Sequence, residues 1–362
     1  MSQLQFPWKG TVVGCPDPVG VEKVYVETVN DCAHSCGMCF RRTFSPQDRG
    51  MMSRETLEKL LHDLEAFEEK PTWVWGGLGE PTAHPDFAEF LQIVSHRGYA
   101  MQLSSNGLLL EEEHLESLFR SGVRRLLLSL DPHALGHPGA GKVQQVLRQL
   151  QRRKVSERVG LEVFVVTVFG SRDLSGLWEF CEWLQTLAID GWILSGMIPV
   201  EAGQVEFSHF SSRLPVEVDR GFSSLIRRAR GKFPFFEPVR LRPAMERECP
   251  FIARNATVVR YDGKVSACYP FSHDHVHHAF GRKKEVAFHS FGDIWQDSLK
   301  DVWNSRGYRV FRSKVRLGCF PYCIDCDQVE SCALRQTTAY DCLGNHPSCA
   351  ECPYYHRLSR CP

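Results

Sequence analysis

The chain carries no surplus of either charge: Lys+Arg and Asp+Glu both number 43, for a formal net charge of zero. Without a field of one sign there is no reason to expect nucleic acid or an anionic membrane as partner. No apolar run approaches the ~20 residues that a membrane-spanning helix needs. The opening residues Met-Ser-Gln-Leu-Gln-Phe-Pro-Trp lack the basic segment and apolar core of a secretory signal. The expectation is a soluble, cytoplasmic protein. Internal repeats and low-complexity tracts are also missing. What the chain does have is length, at 362 residues, enough for a barrel-sized domain and a smaller one. It also has 15 cysteines, which in a reducing compartment are not expected to form disulfides.

Those cysteines are unevenly placed. Three fall in the run Asp31-Cys-Ala-His-Ser-Cys-Gly-Met-Cys-Phe40, as Cys32, Cys36 and Cys39. The spacing C-x3-C-x2-C lets three thiolates converge from one loop on one metal centre. Structural zinc takes four ligands and an iron–sulfur cube normally four cysteines, so three imply a cube with one iron left open. A zinc knuckle with a remote fourth ligand is the plainer alternative. Ten more lie near the other end: Cys249, Cys268, Cys319, Cys323, Cys326, Cys332, Cys342, Cys349, Cys352 and Cys361. Ten thiols suffice for two cubes of four, with a pair of zinc sites as the alternative. Cys181 stands in the helical pattern Leu177–Leu184 and reads as a buried free thiol. Cys15, before a Pro-Asp-Pro turn, receives no role.

From Val21 to Met197 short apolar runs alternate with longer amphipathic segments. Strands are expected at Val21–Val29, Thr72–Gly76, Ala100–Ser104, Arg124–Ser129, Gly160–Thr167 and Gly191–Ser195. Helices are expected at Ser53–Phe67, Pro85–Arg97, Glu111–Ser121, Lys142–Arg153 and Leu174–Leu187. Ser53 offers a capping hydroxyl, and Pro85-Asp86 suits a first turn. Such alternation implies parallel strands with right-handed crossovers. Six units fall short of the eight of a closed barrel. The expected fold is therefore α/β, a partial (β/α)6 TIM-like barrel followed by a cysteine-rich iron–sulfur domain. The expected divisions are an extension over 1–20, the barrel over 21–203, a linker with a basic helix over 204–245, and the cysteine-rich domain over 246–362.

Ligands of parallel sheets gather beyond the carboxyl ends of the strands. There the sequence places the cysteine loop, then Gly76-Gly77-Leu78-Gly79-Glu80-Pro81, then Ser104-Ser105-Asn106-Gly107, and finally Ser129-Leu130-Asp131. Glu80 and Asp131 offer carboxylates there, and Ser105, Asn106 and Ser129 offer hydroxyl and amide groups, all able to hydrogen-bond a ligand. Capping of the following turn is the plainer role for Glu80, and turn formation for Ser105, Asn106, Ser129 and Asp131. Gly136-His-Pro-Gly-Ala-Gly141-Lys142-Val143 nearly spells a phosphate-binding loop, but Val143 has no hydroxyl for Mg²⁺ and Pro138 interrupts it. Nucleotide triphosphate binding is rejected. His273, His275, His277 and His278 near Lys283 and Lys284 read as a solvated loop, with metal or oxyanion binding as the alternative.

The cysteine spacing resembles the signature of radical S-adenosylmethionine (SAM) enzymes. Met38 stands where that family usually has an aromatic residue. Gly77, Gly79, Glu80 and Pro81 resemble the family's "GGEP" segment, which clamps the SAM amino group. Ser105 and Asn106 resemble its "SNG" turn, and Ser129 and Asp131 its ribose contacts. Cys249-x13-Gly263-x4-Cys268 and Cys323-x2-Cys326-x5-Cys332 resemble the SPASM extension, which carries auxiliary [4Fe–4S] clusters. That pattern expects another cysteine at the position of Gln336, so the pairing of thiols to clusters stays open. Ser195-Gly-Met-Ile-Pro199, Cys268-Tyr-Pro-Phe-Ser-His273 and Asp341–Cys352 resemble the radical SAM maturases associated with tungsten-cofactor oxidoreductases.

The resemblance implies a [4Fe–4S] cluster at Cys32, Cys36 and Cys39 that binds SAM, and one or two auxiliary [4Fe–4S] clusters. It implies one-electron cleavage of SAM to a 5′-deoxyadenosyl radical that takes hydrogen from a peptide, protein or cofactor precursor. A reduced ferredoxin or flavodoxin-type donor would supply the electron. Two other readings stand beside it: a molybdopterin-type biosynthetic step, and a non-catalytic metal or cluster carrier.

Overall fold

A computed structural model describes residues 4–15, 20–45, 48–131, 138–157, 160–174, 176–187, 189–208 and 216–360. After a small hairpin, β1 (Gln5–Trp8) and β2 (Thr11–Gly14), the six expected strands follow. They are β3 (Lys23–Glu27), β4 (Thr72–Gly76), β5 (Met101–Ser105), β6 (Val123–Ser129), β7 (Glu162–Phe169) and β8 (Gly191–Gly196). The crossover helices are α1 (Arg54–Leu64), α2 (Phe87–His96), α3 (Glu112–Ser121), α4 (Pro138–Glu157) and α5 (Leu177–Gln185). Ser53 caps α1 by accepting from Thr56 N, as its position predicts. β3 to β8 pair in sequence order, each parallel to the next. Val24, Val26, Trp73, Trp75, Leu126 and Leu128 alternate outward into the helix layer. Tyr25 and Val74 share the inner face, as do Leu127, Phe164 and Val166. Burial on both faces is what a parallel sheet requires.

The sheet does not end where the sequence pattern ends. After α6 (Val216–Ala229), β9 (Phe235–Glu237) pairs parallel with β8, inside the stretch read as linker. After α7 (Pro250–Ala253), β10 (Ala256–Val259) pairs parallel with β3, so the cysteine-rich part supplies the other edge. β11 (Lys264–Ser266) and β14 (Gly292–Asp293) continue that edge antiparallel. A separate hairpin, β12 (His275–Ala279) and β13 (Arg282–Val286), stands apart from the large sheet. The sheet is open, with β14 and β9 at its ends. Residues 357–360 lie along the β8 and β9 side: Arg360 N donates to Ser195 Oγ (3.0 Å) and its guanidinium pairs with Glu237. Among the described residues no helix is long and apolar enough to cross a membrane.

The last helices, α8 (Leu299–Asn304) and α9 (Arg306–Arg316), join this part to the barrel. Asp63 at the end of α1 is 5% exposed. Its Oδ2 accepts from Leu299 N at 2.9 Å, while Oδ1 takes Lys59 Nζ at 2.6 Å. Asp63→Ala leaves a buried N–H without a partner, which costs about 1–3 kcal/mol. Urea unfolding followed by circular dichroism should show a lower midpoint; an unchanged midpoint would remove this contact from the domain junction.

Candidate active site

The cysteine loop leaves β3 and folds back on itself. Cys39 N donates to Cys36 O at 3.2 Å, closing a turn that sets both thiols on one side. The Cys32 sulfur accepts from His34 N and from Asn106 Nδ2, each at 3.3 Å. Arg41, unremarked in the sequence, holds the loop from behind. Its Nη2 donates to Asp31 Oδ1 (2.9 Å) and Cys32 O (3.1 Å), and its Nη1 to His34 O (3.4 Å). Burial pushes the Cys36 thiol up to about 11, reinforced by Cys39, Asp131 and Cys32 nearby. The three thiols are thus one group, with Asp131 beside it.

The glycine segment after β4 seats directly on this loop. A side chain at Gly79 would put Cβ 2.1 Å from Val29 O and 2.6 Å from Asn30 Cα, so only glycine fits. Gly77 has φ +126°, a conformation that L side chains rarely adopt. Glu80 N donates to Asp31 O at 2.9 Å. The Glu80 carboxylate is 3% exposed. Its Oε1 accepts from Thr82 Oγ1 (2.6 Å), Thr82 N (3.3 Å) and Ser105 Oγ (2.8 Å), and its Oε2 from Asn106 N (2.7 Å). Glu80 therefore caps the short turn that Pro81 opens, the plainer of its two readings. It also ties that turn to Ser105 and Asn106. Oε2 carries one of these bonds and keeps acceptor capacity.

Asn106 spans the site, bonded through its backbone to Glu80 and through its side chain to Cys32. Asp131 Oδ1 accepts from Val168 N at 2.7 Å, and Ser129 ends β6 exposed. The calls on Gly77, Gly79, Glu80, Pro81, Ser105, Asn106 and Asp131 thus converge around one thiol group.

The histidine segment is not a solvated loop, which corrects the sequence reading. His273, His275 and His277 are 0%, 3% and 5% exposed. The reason is that β12 packs on the turn after Cys39: the rings of Phe40 and His275 lie 4.6 Å apart, and those of Phe44 and His273 also 4.6 Å. His273 donates from Nε2 to Glu27 Oε2 (2.8 Å) and from Nδ1 to Asp48 Oδ2 (2.5 Å). Glu27 Oε1 in turn accepts from Leu78 N (3.1 Å) in the glycine segment, and Arg260 holds Asp48 Oδ1 (2.8 Å).

The remaining cysteines form two groups and a remainder. Cys249, Cys268, Cys349 and Cys352 line one buried cavity, with His277 and Lys284 in its wall. Burial pushes Cys249 up to about 12 and raises Cys268 and Cys349 well above the usual thiol range, their neighbours adding to the shift. Cys323, Cys326, Cys332 and Cys342 form the second group: burial raises Cys323, as Cys342 and Cys332 do in part, and Cys342 responds to Cys332 and Cys326. Cys326 and Cys342 are exposed. Cys326 N donates to Cys323 O and Cys352 N to Cys349 O, both at 3.3 Å, repeating the turn of Cys36 and Cys39. Both groups reach four thiols without the cysteine missing at Gln336. Cys319, expected among the ligands, packs instead with Phe6 and Cys15 in a small apolar cluster. Cys361 lies outside the described residues.

An open parallel α/β barrel with three thiols on the loop after its first strand, and a cysteine-rich extension, defines a class of SAM-dependent iron–sulfur enzymes. Residues 26–132 match the model of the radical SAM superfamily, and residues 249–327 that of an iron–sulfur cluster-binding domain, SPASM. The chain belongs to the radical SAM superfamily and carries the SPASM domain. It is 33% identical over 353 residues to the tungsten-containing aldehyde ferredoxin oxidoreductase cofactor-modifying protein of Pyrococcus furiosus, spanning 94% of this chain and 96% of that one. It is 24% identical over 184 residues to an AdoMet-dependent heme synthase of Methanosarcina barkeri, about half of each chain (49% and 51%). Among solved structures, anSMEcpe with bound AdoMet superposes with a TM-score of 0.61 at 16% identity, covering 92% of this chain and 93% of that one. SuiB of Streptococcus suis bound to precursor peptide SuiA gives 0.55 at 13% identity, covering 86% and 71%. These two likenesses bear on the fold. The protein is a radical SAM enzyme with [4Fe–4S] clusters and SAM as cofactors. That removes the reading as a non-catalytic carrier.

The His273 cluster makes stability depend on pH. Burial alone would lower the pKa of His273, but the charge of Glu27 and the hydrogen bonds that His273 donates to Asp48 and Glu27 raise it to about 9. In the unfolded chain it is about 6.5. Its contribution is therefore complete below about pH 6.5 and lost as pH rises through about 9. Parent protein should lose on the order of 2 kcal/mol relative to His273→Gln between pH 6.5 and 9.5. Urea midpoints at both values decide; parallel profiles for the two proteins would contradict it.

Proposed function

We propose that the chain matures a tungsten-dependent oxidoreductase, acting on its cofactor precursor or on the protein that carries the cofactor. One observation carries the reading: the 33% identity runs over 94% of the chain, through the barrel and both cysteine regions. In this reading Cys32, Cys36 and Cys39 hold the cluster whose open iron takes SAM. Three thiols grouped on one loop suit that task. Gly77 and Gly79 bring backbone close to that site, and Glu80 Oε2 offers an acceptor to the SAM amino group. Pro81 opens the short turn that Glu80 caps, Ser105 and Asn106 fix Glu80 in place, and Ser129 and Asp131 face the ribose.

Cys249, Cys268, Cys349 and Cys352 would hold one auxiliary cluster, and Cys323, Cys326, Cys332 and Cys342 the other. The first group fits because its cavity is lined by four thiols and by buried polar atoms that lack partners, both ring nitrogens of His277 and Lys284 Nζ. Four thiols give each auxiliary cluster a full set, whereas the barrel loop leaves one position open. A cluster held by Cys32, Cys36 and Cys39 would supply one-electron reduction to SAM bound there, the chemistry by which this superfamily abstracts hydrogen from substrate. The chain's own work is to orient SAM, exclude water and receive a one-electron donor of ferredoxin or flavodoxin type.

Two measurements test these assignments. Replacing Cys32, Cys36 and Cys39 together by alanine should remove about four irons per chain and abolish 5′-deoxyadenosine formation. An unchanged iron count would sink the assignment. For the substrate, anaerobic protein with SAM and reductant is incubated with the unmatured form of a tungsten oxidoreductase. A mass change in that protein or its cofactor, stoichiometric with 5′-deoxyadenosine, supports the maturase. SAM cleavage that never couples to either would refute it.

A further inference from the structure

Beyond the thiols themselves, a buried cation stands in the wall of the first tail group, on the strand that runs beside the second. Lys284 on β13 stands directly opposite His277 on β12 in the hairpin register. Both line the cavity of Cys249, Cys268, Cys349 and Cys352. Lys284 is 3% exposed, and its Nζ has no hydrogen-bond partner. An ammonium has three donors, and burying it unbonded is costly. Glu351, between Cys349 and Cys352, is a distant counterion, its Oε2 3.8 Å from Nζ. That carboxylate is already engaged, because Glu351 Oε1 accepts from Arg282 Nη2 at 2.7 Å. Neutralising Glu351 therefore does not require Lys284.

Position supplies the second observation. Lys284 lines the cavity of the first group, and its neighbours on β13 lie along the second: Arg282 Nη1 donates to Glu330 Oε1 at 3.0 Å, between Cys326 and Cys332, and Glu285 O accepts from Thr338 N at 3.0 Å. We propose that Lys284 is a cation shared by both auxiliary clusters, its ammonium directed at the sulfur of each, so that one charge sets both reduction potentials. The proposal rests on the two ligand sets given above. A nearby positive charge stabilises the reduced, more negative form of a cluster, and hydrogen bonds to sulfur act in the same sense. A charge near both clusters must move both potentials in one direction. Glu351, with the opposite charge at the same junction, must move them the other way.

The test is a potentiometric titration of the reconstituted protein followed by EPR, with iron counted in each variant. The barrel cluster is distinguished by the change of its signal on adding SAM. In Lys284→Met both auxiliary midpoints should fall, while the SAM-responsive signal stays in place. Lys284→Arg should keep them close to parent. If Lys284→Met loads less iron than parent, Glu351→Gln decides instead, and both auxiliary midpoints should rise. Unchanged midpoints in a fully loaded Lys284→Met, or a shift of one auxiliary cluster alone, would overturn the shared role. Midpoints that do not rise in Glu351→Gln would also overturn it. A parent protein with iron for the barrel site only would overturn the ligand sets, and the proposal with them.

Discussion

The carboxylate of Glu27 is the constraint on which the site depends. It is fully buried at the carboxyl end of the first barrel strand. A buried carboxylate must be paired and bonded or it destabilises the fold. Here one oxygen takes Leu78 N from the glycine segment and the other takes His273 from the cysteine-rich part. His273 then reaches Asp48, on the segment that returns from the cysteine loop, and Arg260 closes the set from the end of β10. Breaking one member would strand the others in low dielectric. Three segments far apart in sequence are thereby held in one arrangement around the loop of Cys32, Cys36 and Cys39.

A single local device recurs at all three thiol groups. A C-x2-C turn closed by a hydrogen bond from the second cysteine's N–H to the first one's carbonyl puts two sulfurs on one side. What differs is how many further thiols the fold delivers to the pair. The barrel loop adds Cys32 alone, and the facing positions are filled by Asn106, Glu80 and Asp131. The first tail group gains Cys249 and Cys268 from far back along the chain, and the second gains Cys332 and Cys342 from the residues that follow its turn. The first lies in a largely apolar wall that includes Phe251, Phe271 and Phe311. A four-thiol set in an apolar wall suits storage or relay of electrons, and a three-thiol set beside polar groups suits ligand binding.

Much of this was legible because it is local. The cysteine loop, Glu80 and the Ser105-Asn106 turn are short motifs at strand ends, and six strands alternate with helices at clear spacing. The rest depends on distance. β9 is three residues long and β10 four, too short for a pattern, and each is fixed by the edge it meets. Nothing near His273 announces Glu27, which is 246 residues away. A loop of histidines beside lysines looks hydrated until Phe40 and Phe44 are laid against it. Cys319 was legible as a thiol, but its neighbours Phe6 and Cys15, which make it a packing residue, come from the other end of the sequence.

The hairpin of β12 and β13 shows why the barrel and the cysteine-rich part function as one body. Towards the barrel, Thr43 Oγ1 accepts from Val276 N at 3.0 Å, four residues after Cys39, and Phe40 lies against His275. Further along the same strand, His277 lines the cavity of the first tail group with Lys284 opposite it, and Arg282 on β13 pairs with Glu330 in the segment of the second. One short element therefore touches the surroundings of all three thiol groups. A two-stranded ribbon alone is marginal in water, so its shape is held by what it packs against. The buried rings of His275 and His277 supply that packing without a charge, since burial lowers the pKa of both. His273, at the foot of the same strand, is instead held charged by two carboxylates. The hairpin thus carries a charged His273 at the barrel end and the buried Lys284 at the tail end, with the uncharged rings of His275 and His277 between them.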